Sequence, residues 1–280
     1  MFLDPRIQLI DQYLYFWGAV GRSELIEHFD VSTATSSRIL KQYREAYPEN
    51  MFYKVDKRAY IATDSFKPLV DHSPEVALEL LAYGHVQQKI NRQTYGPEGV
   101  PAFIAKLDAE SVAAITRAIT NRYEVQIEYA SGTSGISKRW VTPHSVFRNG
   151  SKWYFRAFCY KNNGFRNFIF GRVINPLSER SLQVKASKEQ DIEWLTQVNL
   201  TIAPHSKSSY PETLRVDLGL SDEPVRNIQT NSALAGFILN DLRVDCSLGG
   251  TLDPMEFNLQ LMNRAEVMEC PSMQLAPGFN

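Results

Sequence analysis

The chain has 280 residues, 44% of them hydrophobic and 22% charged, with 30 Lys and Arg against 31 Asp and Glu for a formal net charge of -1. That length fits two or three domains with real apolar cores, and the composition excludes disordered and fibrous classes. Cys159, Cys246 and Cys270 are widely spaced with no CxxC pair or nearby His, which argues against a disulfide framework or structural zinc and for a reducing compartment. The first residues lack a signal-peptide pattern, and no apolar run approaches the length of a membrane span, so a cytoplasmic chain with no membrane partner is expected.

Taken in chain order, residues 4–17 read as a helix, with Ile7, Ile10, Leu14 and Trp17 at three- and four-residue spacing and Gly18 and Gly21 punctuating its end. A short helix follows over residues 22–29, then the turn Asp30-Val31-Ser32, with Ser32 as N-cap of a third helix that Pro48 stops. At 100° per residue, Ser36, Ile39, Leu40, Tyr43 and Tyr47 share one face of this third helix. Ser37, Arg38, Lys41 and Arg44 lie on or beside the other face, with Thr33 flanking. Residues 51–55 and 59–62 are β-prone runs around Asp56-Lys57-Arg58, a hairpin with a basic tip that also carries Lys54. Helix, helix, tight turn, helix, basic hairpin is the order of a winged helix-turn-helix, in which the third helix enters the major groove and the wing meets adjacent backbone. Each cation alone fits a solvated helix face. Together they mark Ser32, Thr33, Ser37, Arg38, Lys41, Arg44, Lys54, Lys57 and Arg58 as candidate DNA contacts.

Residues 74–91 predict another helix, opened by Pro74 and broken by Gly96-Pro97 and Pro101, and residues 108–121 a further one. The pair reads as a helical linker or as part of a dimer interface. From Tyr123 the period switches to two: Val125, Ile127 and Tyr129 alternate with Glu124, Gln126 and Glu128. Strands are expected over 138–142, 145–148, 152–160 and 165–173, with turns at Ser131–Gly135, Asn149-Gly150 and Asn162-Asn163-Gly164, giving a small barrel or sheet of about 65 residues. Residues 122–185 carry eleven positive and three negative charges, whereas residues 186–280 carry six and thirteen. The basic block points to an anionic ligand.

Arg139, Pro143-His144, Asn149-Gly150, Trp153-Tyr154-Phe155-Arg156-Ala157, Phe165-Arg166-Asn167-Phe168 and Arg172 follow the pattern of the WYL domain, with Phe155 in place of its Leu. Gly21-Arg22-Ser23-Glu24-Leu25, Phe29-Asp30-Val31-Ser32, Ser36-Ser37-Arg38, Tyr43, Pro48-Glu49-Asn50 and Phe66-Lys67-Pro68 match as well. Over roughly residues 1–180 the chain resembles the WYL-domain regulators found beside bacterial anti-phage defence operons, such as the BREX- and CBASS-associated repressors. Ile39 stands where these regulators often carry an acid. The resemblance implies an α+β chain with an N-terminal winged helix-turn-helix, a helical linker, an Sm-like or SH3-like small β-barrel (the WYL domain) and a C-terminal α/β dimerisation domain. The expected boundaries are 1–68, 69–120, 121–185 and 186–280. It also implies a homodimer that represses its own operon and is controlled by a nucleotide or oligonucleotide at the barrel.

The residues themselves support such a ligand. Tyr154 and Arg156 share a strand face, Arg166 and Arg172 are expected to share one on a neighbouring strand, and Arg139 and His144 arrive from the preceding strand. Guanidinium groups take phosphate oxygens and rings stack bases, so Arg139, His144, Tyr154, Arg156, Arg166 and Arg172 are the candidate ligand contacts.

In the last region, residues 213–220 alternate as a strand with Leu214, Val216, Leu218 and Leu220 buried. Residues 231–243 read as a helix with Leu234, Phe237, Ile238 and Leu242 on one face, and residues 257–261 as a final strand. There is no GxGxxG, Walker loop, HExxH or GxSxG, and no partnered His, so neither an enzyme nor a metal or cofactor is expected. The alternative function is an RNA- or single-strand-binding protein that uses the Sm-like barrel; a double-stranded inverted-repeat operator is the partner expected here.

Overall fold

A computed structural model of the chain describes residues 4–84, 107–181, 184, 186–220 and 223–279. Two compact units divide it, Met1–Ala186 and Ser187–Asn280.

The first unit opens with helix α1, Pro5–Trp17. Asp4 caps it by accepting the Arg6 N–H, Pro5 supplies the first helical φ, and Gly18 ends it in the left-handed region at φ 73°. Strand β1 is only Ala19–Val20, and helix α2, Arg22–Phe29, begins where the Glu24 carboxylate turns back to accept the Gly21 N–H at 2.9 Å. Helix α3, Thr33–Ala46, starts on the Ser32 hydroxyl, which accepts the Thr35 N–H. The hairpin of β2, Met51–Lys54, and β3, Ala59–Ala62, completes a three-stranded sheet in the order β1-β3-β2. Sequence periodicity missed β1, because two residues between glycines carry no period. Leu9, Ile10, Leu14, Val20, Leu25, Ile39, Leu40, Tyr43 and Met51 form the core beneath these elements.

Helix α4, Pro74–Tyr83, starts at the Ser73 cap and ends at Gly84 in the left-handed region, φ 75°. The predicted helix therefore stops earlier than expected, and residues 85–91 with the breaks at Gly96-Pro97 and Pro101 lie outside the described residues. Helix α5, Ala109–Asn121, is capped by Asp108. Five strands follow: β4 Glu124–Ser131, β5 Gly135–Asn149, β6 Lys152–Cys159, β7 Gly164–Ile169 and β8 Val173–Ser181. Their order is β7-β6-β5-β4-β8. The two runs expected before Asn149 are one long strand with a bulge between Pro143 and Ser145.

The run expected to continue through residue 173 breaks instead at a 3-10 turn, Phe170–Arg172, because the buried Phe170 turns inward there. Those three residues join strands at opposite edges of the sheet. Their reach is about 14 Å at full extension, whereas five flat strands would separate the edges by about 19 Å, so the sheet is rolled. Tyr129 on β4 spans the interior to accept the Ile169 N–H of β7 at 3.0 Å. Among the described residues no strand pairing joins β7 to β8, so the closed barrel expected from sequence is not found.

Phe16 and Trp17 at the end of α1, together with residues of α4 and α5, share one core with Trp153, Phe155, Ala157 and Phe168 of the rolled sheet. Helix α1 thus belongs to two cores, which explains why it is buried on more than one side.

The second unit holds helix α6, Ile192–Leu195, strand β9, Gln197–Pro204, and helix α7, Pro211–Asp217. Strand β10, Arg226–Asn231, helix α8, Ala235–Asp241, and strands β11, Val244–Asp245, and β12, Leu259–Leu261, follow. Helix α9, Arg264–Val267, and a 3-10 turn, Pro271–Leu275, end the unit. The sheet order is β10-β9-β12-β11, with β11 parallel to β12 and the other pairs antiparallel.

The strand expected at residues 213–220 is instead α7. Pro211 at its first position favours a helix start, and Leu214 and Leu218 are as well placed for a helix, four apart, as for a strand. Val216, expected to be buried, is 77% exposed. Helix α8 is shorter than the 231–243 expected. Its buried residues are Ala235, Gly236 and Leu239, while Leu242 lies exposed past its end. Gly236 is required there, since a Cβ would stand 1.8 Å from the Ser272 carbonyl oxygen.

Candidate functional site

Helix α3 is held from beneath by a buried polar network. The Tyr43 hydroxyl donates to Asp11 Oδ1 at 2.5 Å and accepts from Asn50 Nδ2 at 3.1 Å. Asp11 Oδ2 accepts the Leu69 N–H at 2.8 Å and lies 2.7 Å from His72 Nε2, while Asn50 exchanges bonds with the backbone of Lys67. Burial pushes the Tyr43 hydroxyl well above the ordinary tyrosine range, Asn50 opposes this and Asp11 adds to it. The hydroxyl therefore stays a donor, and α1, α3 and the segment after the hairpin are tied through one carboxylate.

On the opposite side of α3, Thr33, Ser37, Arg38 and Lys41 are exposed, as is Ser32 at the cap. Ser37 donates back to the Thr33 carbonyl, and Lys41 pairs with Glu45 at 3.6 Å. Exposed ion pairs of this kind contribute little to stability and yield readily to a stronger anion. Arg44 is half-buried with its guanidinium 6.0 Å from the Tyr60 ring centre, leaning toward the hairpin. Lys54 pairs with Asp56, and Lys57 and Arg58 are exposed at the hairpin turn, with Arg58 at φ 49°. Arg22, Arg38, Lys57 and Arg58 have no ion pair among the described residues. The structure thus brings the nine predicted contacts to α3 and the hairpin, and adds Arg22, Tyr53 and Tyr60, which sequence reading did not single out.

Strand register divides the predicted ligand contacts. Phe147 pairs with Tyr154, Ser145 with Arg156, Arg156 with Asn167 and Phe158 with Phe165, so these residues share the face turned away from the core. The rings of Phe147 and Tyr154 stack at 5.0 Å. Arg156 is 3% exposed, with its guanidinium 5.8 Å from the Phe165 ring centre and Nη1 3.4 Å from Asn167 Oδ1. His144, at the bulge, packs edge-on against Phe165 at 5.7 Å and bonds Ser145.

The other three arginines stand elsewhere. Arg166 pairs with Ala157, whose side faces the core, and extends into solvent with its Nη1 on the Phe165 carbonyl. Arg139 pairs with Ile127 and is buried over the Tyr129 ring, donating to Ser134 and Ser137. Arg172, expected on a strand with Arg166, is on the 3-10 turn, beside Gly132. His144, Tyr154 and Arg156 therefore form one cluster with Phe147, Phe165 and Asn167. Alternation within a strand placed the first set; only the cross-strand register brings in the second. Among the described residues no group of His, Cys, Asp and Glu could hold a metal ion.

Three family models match the chain in order. The BrxR transcriptional regulator winged helix-turn-helix domain covers residues 3–82, the WYL domain residues 110–176, and the BrxR transcriptional regulator C-terminal dimerization domain residues 197–267. The DNA-binding transcriptional repressor CapW of Escherichia coli (strain KTE188) is 30% identical over 209 residues, spanning 72% of this chain and 69% of that protein. The chain belongs to the WYL-domain regulators with an N-terminal winged helix-turn-helix. The resemblance read from the residues is borne out.

The CapW repressor of Stenotrophomonas maltophilia is 28% identical to this WYL regulator over 275 residues, covering 94% of this chain and 90% of that one. The CapW repressor of Pseudomonas aeruginosa is 30% identical over 72% and 69% of the two chains. Among solved structures, proteasome accessory factor B/C of Arthrobacter aurescens aligns over 96% of the chain with a TM-score of 0.27 and 16% identity; the WYL regulator spans 48% of that protein's length. So slight a likeness carries no argument.

Proposed function

We propose that this WYL regulator is a homodimeric transcriptional repressor that binds an inverted-repeat operator upstream of its own gene, within a phage-defence operon. The observation that carries this reading is the exposed cationic face of α3 beside a basic hairpin, both held on a buried scaffold. The curated relatives are named DNA-binding transcriptional repressors, and the C-terminal unit matches a dimerization domain. Dimerisation suits the task, since one winged helix reads a few base pairs and a twofold pair reads a palindrome. We assign residues 1–68 to the reader, 69–120 to the linker, 121–185 to the sensor and 186–280 to the dimer. A repressor of this kind acts in the cytoplasm, as a regulator rather than an enzyme.

The sensor is proposed to take a nucleotide or oligonucleotide on the face of Tyr154, Arg156 and His144. A buried guanidinium among rings matches a ligand that carries both phosphate and base. The test is a reporter driven by the DNA upstream of the gene, in cells that lack the chromosomal copy. Supplying the wild-type chain should lower reporter output, and R156A should repress as well as wild type but fail to respond when phage infection relieves repression. Reporter output indifferent to the wild-type chain contradicts the repressor reading. Normal relief with R156A contradicts the assignment of the sensor face.

A further inference from the structure

Between the start of α2, α3 and the hairpin lies a groove of about 190 Å³. Arg22 and Arg58 line it together with the Ser37, Tyr53 and Tyr60 side chains, and Leu40 contributes apolar wall. None of the residues lining it is acidic. The nearest carboxylate in sequence, Glu24, is occupied by the Gly21 N–H and the Ser23 hydroxyl, both at 2.9 Å. The two arginines are exposed and make no ion pair among the described residues.

The aromatic side of the groove is braced. Tyr53 and Tyr60 are cross-strand partners whose rings meet edge to face at 5.1 Å, and Arg44 leans on Tyr60. Ser36, next to Ser37, donates its hydroxyl to the Arg22 carbonyl at 3.1 Å, which ties the start of α2 to α3. Two guanidinium forks, each able to donate bidentately, thus stand on a framework that needs little rearrangement to receive an anion.

We propose that this groove seats one backbone phosphate of duplex DNA, with Arg22 and Arg58 gripping it between the helix that reads bases and the hairpin. The inference rests on the DNA-reading function of α3 and adds to it a contact that fixes register without reading sequence. Arg22 is the new element. Its side chain makes no internal hydrogen bond or ion pair among the described residues, so its replacement leaves the fold intact.

The test measures binding by fluorescence anisotropy with the full chain, across a salt series, on two duplexes: the DNA upstream of the gene and a scrambled sequence of equal length. R22Q is expected to weaken both duplexes by a similar factor and to make the slope of log affinity on log salt shallower by about 0.9, the signature of one lost phosphate contact. R22K should keep the wild-type slope. R22Q with the wild-type slope overturns the phosphate seat, as does a loss confined to the upstream duplex, which would make Arg22 a base reader. Wild-type protein that binds neither duplex overturns the DNA reading and the seat together. Wild-type binding with an unaltered R22Q slope overturns the seat alone.

Discussion

At the scale of single residues, the buried acids explain more than the buried apolar groups do. Asp11 has no exposed surface and is matched by donors from α3 and from residues 69–72, so its charge is answered within the fold. Asp245 in the second unit is arranged the same way. It accepts from the Ser247 and Leu252 N–H groups at 2.7 and 2.9 Å and meets His205 Nε2 at 3.0 Å. His205 Nδ1 accepts the Lys207 N–H, so Nε2 carries the proton that points at Asp245. Burial raises the Asp245 carboxyl, but the bonds from Ser247, His205 and Leu252 together outweigh it and hold the group below its ordinary value of 3.8. A carboxyl with a depressed folded pKa gives stability that is present above the unfolded pKa and lost as pH falls through the folded one. Stability should therefore decline as pH drops below about 4, and D245N should be less stable at neutral pH with a flatter decline in acid. Urea titrations of both proteins between pH 7 and pH 3 check this, and parallel curves would contradict it. Beside it, burial foremost and the Asp245 charge next push the Cys246 thiol up to about 12, against a smaller opposing pull from Arg264, which leaves it a packing residue.

At the scale of elements, α5 is the piece that joins reader to sensor. Its Thr116 hydroxyl reaches the Phe16 carbonyl at 2.5 Å, Arg117 Nε donates to the Tyr15 carbonyl at 2.6 Å, and Asn121 Nδ2 donates to the Trp17 carbonyl at 3.0 Å. Three consecutive carbonyls at the end of α1, which the helix itself cannot pair, find their donors on α5. T116V keeps the shape and removes one donor from a fully buried carbonyl, and it should cost about 1–3 kcal/mol in urea unfolding. A change of less than about 0.5 kcal/mol would show that the bond is not needed. The linker helix itself was legible in the sequence from Asp108 and the spacing of Val112, Ile115 and Ile119. Its polar partners were not, because a Thr or Asn on a helix does not reveal which distant carbonyl it meets.

The same limit runs through the rest of the fold. Ser32, Gly18, Gly84 and Pro74 act through local backbone chemistry, so the helices of the first unit could be placed from them. Residues 213–220 offered four apolar side chains compatible with either period, and packing chose the helix. Arg166 was assigned to the ligand face on residue type alone, but the register of β7 against β6 sends it to the opposite side. Half of the sensor cluster, Phe147, Phe165 and Asn167, comes from strands whose pairing no local signal encodes.

At the scale of the whole molecule, the near-zero net charge conceals a division of labour. The cations gather on α3, the hairpin and the rolled sheet, whereas the second unit is acidic. A basic reader with an acidic partner unit directs duplex DNA to one part of the chain through its field alone. Among the described residues no helix is long and apolar enough to cross a membrane. The second unit also exposes Ile192, Tyr210, Val216, Leu248 and Met255, each more than three-quarters accessible, in keeping with its match to a dimerization domain.

The central claim, a dimer that reads an inverted repeat, is tested most directly by a mobility-shift titration at physiological salt. Purified protein is titrated against the DNA upstream of its gene, against the same DNA with one half of the repeat scrambled, and with random duplex as competitor. The account predicts a single shifted species at nanomolar protein on the intact repeat, with affinity falling steeply when one half-site is lost. Equal, salt-labile binding to all duplexes would contradict it and would turn attention to single-stranded or RNA ligands of the rolled sheet.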